Sequence, residues 1–503
     1  MNDHAWQQAR LIPTSGITGN DEAERRATSA LLAVMCAVRD FASSITRPFG
    51  AAVAAHETFI EVPFKLGEHT VIPDGLIRVS RGSKSWVALV EVKTGTNDLR
   101  SEQIESYLDV AREQGFDCVL TISNQISPAP GVHPVAVDRR KLRKVDLHHL
   151  SWAEILTIAV QHRVHRGLSD PEQAWILGEL IRYLEHPRSG ALDFADMGAE
   201  WVTIREAVSA GTLRPTDKAL SEVVSRWDQL LRFAALRLGR ELGADVQLVL
   251  SRKELADPLV RFSEHCASLA RDGVLRGAIR VPDAVGPIDV VADVRGGRVV
   301  VSIDVDAPKE GRQATRVNWL VRQLKEAPEN VRIDAWASQQ RTGSSELLRV
   351  VREDSNVLIL DPAKDLKSFR VAAVSPMGAK RTAGRGSLID SVLAAVDGFY
   401  EAVVQELRPW TPKAPQLPSG QRGAVAEAGI DVSVPLSDLE PVASTSVDSG
   451  TVTEAPESTS REMEEVDWSD AQDRIDDERA LGGQGASDAA SPLHEAVDDP
   501  GVA

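Results

Sequence analysis

The chain has 503 residues and a formal net charge of −17, too long for one ordinary core and long enough for two or three domains. The charge is uneven: residues 411–503 hold 20 acidic and 5 basic side chains, so −15 of the −17 lies there and the first 410 residues carry only −2. No run of about 18 uncharged apolar residues occurs, which excludes an ordinary membrane span, and the first residues show no basic stretch followed by an apolar one. Three scattered cysteines, Cys36, Cys118 and Cys266, exclude a cysteine-based zinc site. They are expected as small core residues in a reducing cytoplasm.

In chain order, residues 23–41 have the apolar spacing of an amphipathic helix, and residues 58–64 read as a strand. Two short apolar strands, residues 70–72 and 75–79, meet at Pro73-Asp74. A third strand, residues 86–93, ends in Glu91-Val92-Lys93 and is joined to the second across Arg81-Gly82-Ser83-Lys84-Ser85. Side chains two apart on a strand share a face. Glu91 and Lys93 therefore point the same way while Val90 and Val92 point into a core, and the hairpin sets Asp74 beside them. Two carboxylates and an ammonium at one sheet edge suit a hard cation such as Mg2+ or Mn2+, which takes oxygen ligands. Such an ion lowers the pKa of a bound water and stabilises charge on a phosphate. A lysine beside it orients the attacking water or neutralises the phosphate oxygens.

Residues 101–113 read as a helix with Ile104, Leu108 and Val110 or Ala111 toward the core. Gln103 and Tyr107 lie four apart on one helical face. A strand over residues 117–122, another over 144–147 and a helix from Ser151 follow. This order and these motifs resemble the PD-(D/E)XK nuclease superfamily, and the Gln-x-x-x-Tyr pair after the Glu-x-Lys strand is similar to its RecB-like branch. The resemblance covers residues 1–165 and implies a restriction-endonuclease-like αβββαβ core. It also implies that Asp74 and Glu91 bind metal, that Lys93 assists the nucleophile, and that Gln103 and Tyr107 support the site and contact substrate. A further metal-binding glutamate from the first helix is implied, with Glu24 the better candidate and Glu22 the other. The substrate expected on this ground is DNA rather than RNA, with residues 95–100 beside it. Whether the chain cuts as an endonuclease or an exonuclease stays open.

The remaining stretches give coarser expectations. Arg139, Arg140, Lys141, Arg143 and Lys144 form a basic patch before the last core strand, placed to hold phosphates, with a solvated loop as the plainer alternative. Residues 166–243 read as a helical connector, with helices over 174–184 and 219–242. Trp175, Trp201 and Trp227 are expected as core anchors rather than base-stacking platforms. Residues 244–408 read as a second small α/β domain, with strands at 246–250, 277–281, 288–294, 298–304, 331–336 and 357–360. Its helices are expected at 315–326 and 388–407.

Laid on the first domain, Asp289 matches Asp74, Asp304-Val305-Asp306 replaces Glu91-Val92-Lys93, and Arg316 and Leu320 stand for Gln103 and Tyr107. A degenerate copy without the lysine is the expectation. Asp304 and Asp306, with Lys309, Glu310 and Arg312, read as a salt-bridged loop before a metal site, and Arg312, Arg316, Arg322 and Lys325 as a line that could follow phosphates. Residues 409–503, rich in Pro, Ser, Ala, Asp and Glu, are expected to be a disordered acidic tail. The tail or the second domain could recruit a protein partner, the tail through the island Met463-Glu464-Glu465-Val466-Asp467-Trp468. No phosphate loop of the Gly-x-x-x-x-Gly-Lys-Ser/Thr kind occurs, and homo-oligomerisation is left open. The reading is a cytoplasmic metal-dependent nuclease, the alternative a catalytically silent nucleic-acid-binding or scaffold protein on the same fold.

Overall fold

The computed structural model describes residue 12, residues 19–127 and residues 131–412. The acidic tail beyond these, with its acidic-aromatic island, lies outside the described residues. Where one helix was expected over residues 23–41 there are two, α1 (Asn20–Ala37) and α2 (Arg39–Thr46). Val38 leaves the helical backbone at φ −116°, ψ 86°, and the chain bends there by 112°. The bend lets Val38, Phe41 and Ile45 be buried in the same core as Leu31, Leu32 and Met35. That tertiary burial outweighs a continuous helix of modest propensity. Among the described residues no single helix is long and apolar enough to cross a membrane.

Then come β1 (His56–Ile60), a small hairpin of β2 (Phe64–Leu66) and β3 (His69–Val71), β4 (Gly75–Arg81), β5 (Lys84–Val92), α3 (Ser101–Gln114), β6 (Cys118–Ser123), β7 (Asp146–Ser151) and α4 (Trp152–Val160). A five-stranded sheet runs β1-β4-β5-β6-β7, antiparallel as far as β5 and parallel from there. The β4–β5 turn is tight: Arg81 pairs with Lys84, and Gly82 takes φ +62°, the left-handed backbone a two-residue hairpin needs. Strand alternation then divides the core. Val90, Val92, Leu120 and Ile122 pack with α1, α2 and α4, while Leu89, Val119 and Leu147 pack with α3 on the other face.

Residues 166–243 supply α5 (Pro171–Leu184), α6 (Trp201–Ala210) and α7 (Leu220–Leu242). Leu177, Leu180, Tyr183 and Leu184 of α5 enter the first core, whereas α6 and α7 bury Trp201 and Trp227 in a second. Trp175 corrects the expectation for the three indoles: it is 51% exposed on α5. Cys36 also departs from its expectation, being exposed, with its thiol 3.2 Å from the His56 carbonyl.

The second core lies under a seven-stranded antiparallel sheet. After β8 (Gln247–Leu248), α8 (Arg252–Ala256) and α9 (Pro258–Asp272) come β9 (Val274–Arg280), β10 (Ile288–Asp293), β11 (Arg298–Asp306), α10 (Gln313–Gln323) and β12 (Arg332–Ala337). The chain closes with β13 (Ser344–Leu347), α11 (Leu348–Glu353), β14 (Leu366–Pro376) and α12 (Leu388–Ala402). The order is β13-β12-β14-β11-β10-β9-β8, and this overturns the degenerate-copy reading. In the first sheet the strands flanking α3 are direct neighbours, but here β14 separates the strands flanking α10. Residues 357–360, expected as a strand, start in a 3-10 turn over Ser355–Leu358, and β14 supplies the strand instead.

Arg316 is likewise no phosphate contact. It is buried and donates to the carbonyls of Gly311, Lys309 and Leu366. Asp304 is ion-paired outside its expected cluster, through a fork with Arg370 at 2.6 and 2.8 Å.

A polar seam joins the two sheets through α4 and α7. Thr157 donates to the Leu236 carbonyl at 3.3 Å and Gln161 to the Ala244 carbonyl at 2.9 Å. Glu154 caps its own helix by accepting from Ser151 and pairs with Arg232 of α7. Glu154→Ala would remove the cap and strand the half-buried guanidinium. We expect a loss of about 3 kcal/mol in urea unfolding. A change within experimental error would show that the seam contributes little.

Candidate active site

The end of β5 is where the sequence motif converges. Gly75 pairs with Val90, so Asp74, the next residue back along β4, falls beside Glu91. The Val92 N–H donates to Asp74 Oδ2 at 2.8 Å and locks that placement. Glu91 lies on the Leu89 face, fully buried at 0% exposure. Its Oε1 is 2.6 Å from Lys93 Nζ, and the Lys93 ammonium and the Tyr107 hydroxyl both face the carboxylate. Lys93 Nζ also reaches Glu24 Oε2 of α1 at 3.5 Å, so Glu24 rather than Glu22 joins the cluster. Glu22 instead pairs with Arg26 at 2.8 Å.

Burial first, and charge crowding second, sets the protonation of Glu91. Burial, then the Asp74 charge, pushes the Glu91 carboxyl from its ordinary 4.5 up to about 7, against the pull of Lys93 and Tyr107. Asp74 is also raised, by burial, with the Val92 N–H and Lys93 opposing. For Lys93 burial works the other way, but Glu91, Glu24 and Asp74 outweigh it and hold the ammonium above its ordinary range. Burial and the neighbouring Glu91 raise the Tyr107 phenol, which stays protonated.

Helix α3 supplies the flank. Gln103 Nε2 donates to the Tyr107 hydroxyl at 2.9 Å, and that hydroxyl donates to the Ile72 carbonyl at 3.4 Å. The pair thus buttresses the segment that delivers Asp74. The loop after Lys93 is tied from three sides. Asn97 donates to Glu24 Oε1 at 2.6 Å, Asn124 donates to the carbonyls of Gly95 and Gly190, and the Gly95 N–H donates to the Gly190 carbonyl at 2.8 Å. Gly190 sits at φ +78°, and a Cβ there would meet Thr94 Cβ at 2.8 Å and the Gly95 nitrogen at 3.2 Å. Only glycine allows that approach.

Several supporting residues carried no sequence signal. Trp152 Nε1 donates to the Lys93 carbonyl at 2.9 Å. Strand register aligns Glu91 with Thr121 and Thr121 with His149, and Thr121 bonds both His149 Nδ1 and His133 Nε2 at 2.8 Å. Burial lowers His149 to about 4, so this row is neutral scaffolding. The basic patch is partly spoken for: Lys141 pairs with Asp109 of α3 at 2.6 Å, and Arg140 with Asp138 at 3.2 Å. Arg139, Arg143 and Lys144 are exposed.

Among the described residues no three His, Cys, Asp or Glu side chains gather closely enough to hold a metal between them. What the site offers is two crowded carboxylates, Asp74 and Glu91, and the oxygen chemistry of this donor set fits a hard cation that keeps most of its shell as water and substrate oxygen. No family model matches the chain, and no curated protein matches it.

Between pH 4.5 and about 7 folded Glu91 keeps a proton that the unfolded chain has released. Its contribution to stability is therefore greatest below 4.5 and falls as pH rises through that window, by on the order of 3 kcal/mol. In EDTA, Glu91→Gln should match the wild-type melting temperature near the low end and exceed it at about pH 8. Parallel pH profiles would refute the raised Glu91 carboxyl.

Proposed function

We propose that the chain is a Mg2+- or Mn2+-dependent nuclease, with DNA its favoured substrate, built on a restriction-endonuclease-like αβββαβ core at its N-terminal side. The observation that carries this reading is the meeting of Asp74, Glu91, Lys93 and Glu24 at one strand end, with Gln103 and Tyr107 on the adjoining helix. A divalent cation held by Asp74 and Glu91 would supply Lewis-acid stabilisation of phosphate charge and a water of lowered pKa.

The chain's own groups divide the remaining work. Lys93, kept charged by three carboxylates, suits neutralising phosphate oxygens and orienting water, and is a poor general base near neutral pH. Glu24 holds the ammonium and, through Asn97, the loop that borders the reacting phosphate. Tyr107 keeps its proton and fixes the approach of Asp74 through Ile72. Arg139, Arg143 and Lys144, anchored on α3 through Lys141, would take phosphates farther along the strand by contacts that carry no sequence information.

The test is incubation of the full chain with single- and double-stranded DNA and RNA, in Mg2+, Mn2+ or EDTA. Cleavage should need metal, vanish in Asp74→Ala and fall at least about 100-fold in Lys93→Ala. Binding without cleavage by the wild type would favour a silent recognition module instead. Cleavage that survives both substitutions would place the chemistry elsewhere.

A further inference from the structure

The second lobe carries a basic loop that the proposed chemistry leaves unused. Residues 378–387, between β14 and α12, read Gly-Ala-Lys-Arg-Thr-Ala-Gly-Arg-Gly-Ser. The loop is firmly held from inside. Trp201 and Arg205 of α6 both donate to the Ala379 carbonyl, at 3.1 and 3.2 Å, and the Lys380 N–H donates to the Gly386 carbonyl at 3.0 Å. What faces outward is charge. Lys380 and Arg385 are exposed, and neither has an ion-pair partner among the described residues. Arg205 and Arg295 extend the ledge, lining with Ala379 a cavity of about 540 Å³. The Met377 N–H donates to the Gly297 carbonyl at 2.9 Å and so ties the β10–β11 turn, with Arg295, to the start of the loop. The acids nearby are already engaged. Asp196 pairs with Arg381 at 3.1 Å and Asp293 with Arg298 at 2.8 Å. Glu206 faces Arg205 at 3.7 Å, and Asp390 accepts from the Gly384 N–H at 3.1 Å.

The same loop is strapped to the candidate active site. The Gly190 carbonyl accepts from the Gly95 N–H, two residues past Lys93. A short way on, Asp196 bridges to Thr382, the Ala383 N–H donates to the Ala195 carbonyl at 2.8 Å, and the Met197 N–H donates to the Arg381 carbonyl at 3.1 Å. The chain from Gly190 to Asp196 reaches at most about 21 Å. A duplex rises about 3.4 Å per base pair, so the strap spans no more than about six steps of DNA.

We propose that Lys380 and Arg385, with Arg295 beside them, hold the phosphate backbone of DNA about one helical turn from the phosphate at Asp74 and Glu91. The inference rests on the nuclease reading and deepens it by making the second lobe part of the substrate site. The cations without carboxylate partners lie along a ledge rather than converging on one point, which suits a chain of phosphates better than a single small anion. Contacts of this kind set affinity and register without reading sequence. The strap keeps ledge and catalytic loop at a bounded separation, so one strand can engage both.

The test uses the full chain and a labelled DNA duplex of about 24 base pairs, well over the span of the strap. Binding is read by fluorescence anisotropy in EDTA across a salt series, and cleavage is read in Mg2+ and Mn2+. Lys380→Glu with Arg385→Glu reverses two exposed charges and should fold, which a melting curve confirms. Lys380→Gln with Arg385→Gln is the milder second variant. Arg252→Glu with Lys253→Glu, on α8, makes the same change of charge away from the ledge.

The charge-reversed loop should bind at least about tenfold more weakly at low salt, and its salt dependence should be shallower by about two phosphate contacts. The glutamine pair should show the same loss of slope, and the α8 pair should bind like the wild type. Loop variants that bind like the wild type, or an α8 pair that loses as much, would sink the ledge and leave the nuclease to its own assay. Wild-type chain that binds polyglutamate as tightly as the duplex would make the ledge a seat for an acidic protein and overturn the DNA assignment. Ledge-dependent DNA binding with no cleavage in either metal would keep the ledge and remove the nuclease.

Discussion

One ammonium set among three carboxylates governs the arrangement around it. Lys93 touches Glu91 directly, reaches Glu24 and is felt by Asp74. Each acid comes from a different element: α1, the approach to β4, and β5. The cluster therefore closes only when the helix, the hairpin and the strand end are all in register. Its net charge is negative, so the folded chain bears electrostatic repulsion at this spot that an apolar residue would not produce. Functional sites commonly retain such crowding because a ligand of opposite charge relieves it.

The scaffold that maintains the crowding is largely uncharged. The Val92 N–H fixes Asp74, Trp152 fixes the Lys93 carbonyl, Tyr107 fixes Ile72, and the Thr121–His149 row ties β6 and β7 beside Glu91. Beyond this, α4 carries the load into α7, and from there into the second sheet. That sheet, antiparallel throughout and with β14 between the strands that flank α10, is a different construction from the first. Its Asp304 is held by a fork from Arg370.

Much of the first lobe was legible because its signals are local. Period-two alternation on β5 forces Glu91 and Lys93 to one face, the tight turn at Gly82 fixes the hairpin, and a four-residue spacing brings Gln103 to Tyr107. The break at Val38 was hidden because apolar spacing continues through it and only tertiary burial distinguishes one helix from two. Trp175 was misplaced because an indole in an apolar helical pattern looks the same on either side of a surface. The partners of Glu24, the Thr121 row and the seven-strand order depend on contacts between residues far apart in sequence. No window-based pattern encodes those. The specific αβββαβ assignment and the proposed chemistry rest on the motif.

Gly190 carries a consequence for how such a chain can change over generations. It lies well outside the motif, yet its bare α-carbon is what lets the turn it sits on lie against Thr94 and Gly95. A side chain there would push the loop outward, and Asn97 with it, loosening the grip on Glu24. A lineage could in this way lose the constellation's geometry while every acidic residue, the lysine and the Gln-x-x-x-Tyr pair remain in place. An intact motif in a descendant sequence would then be a record of ancestry rather than of present capability, and the residue to inspect first would be the one at position 190.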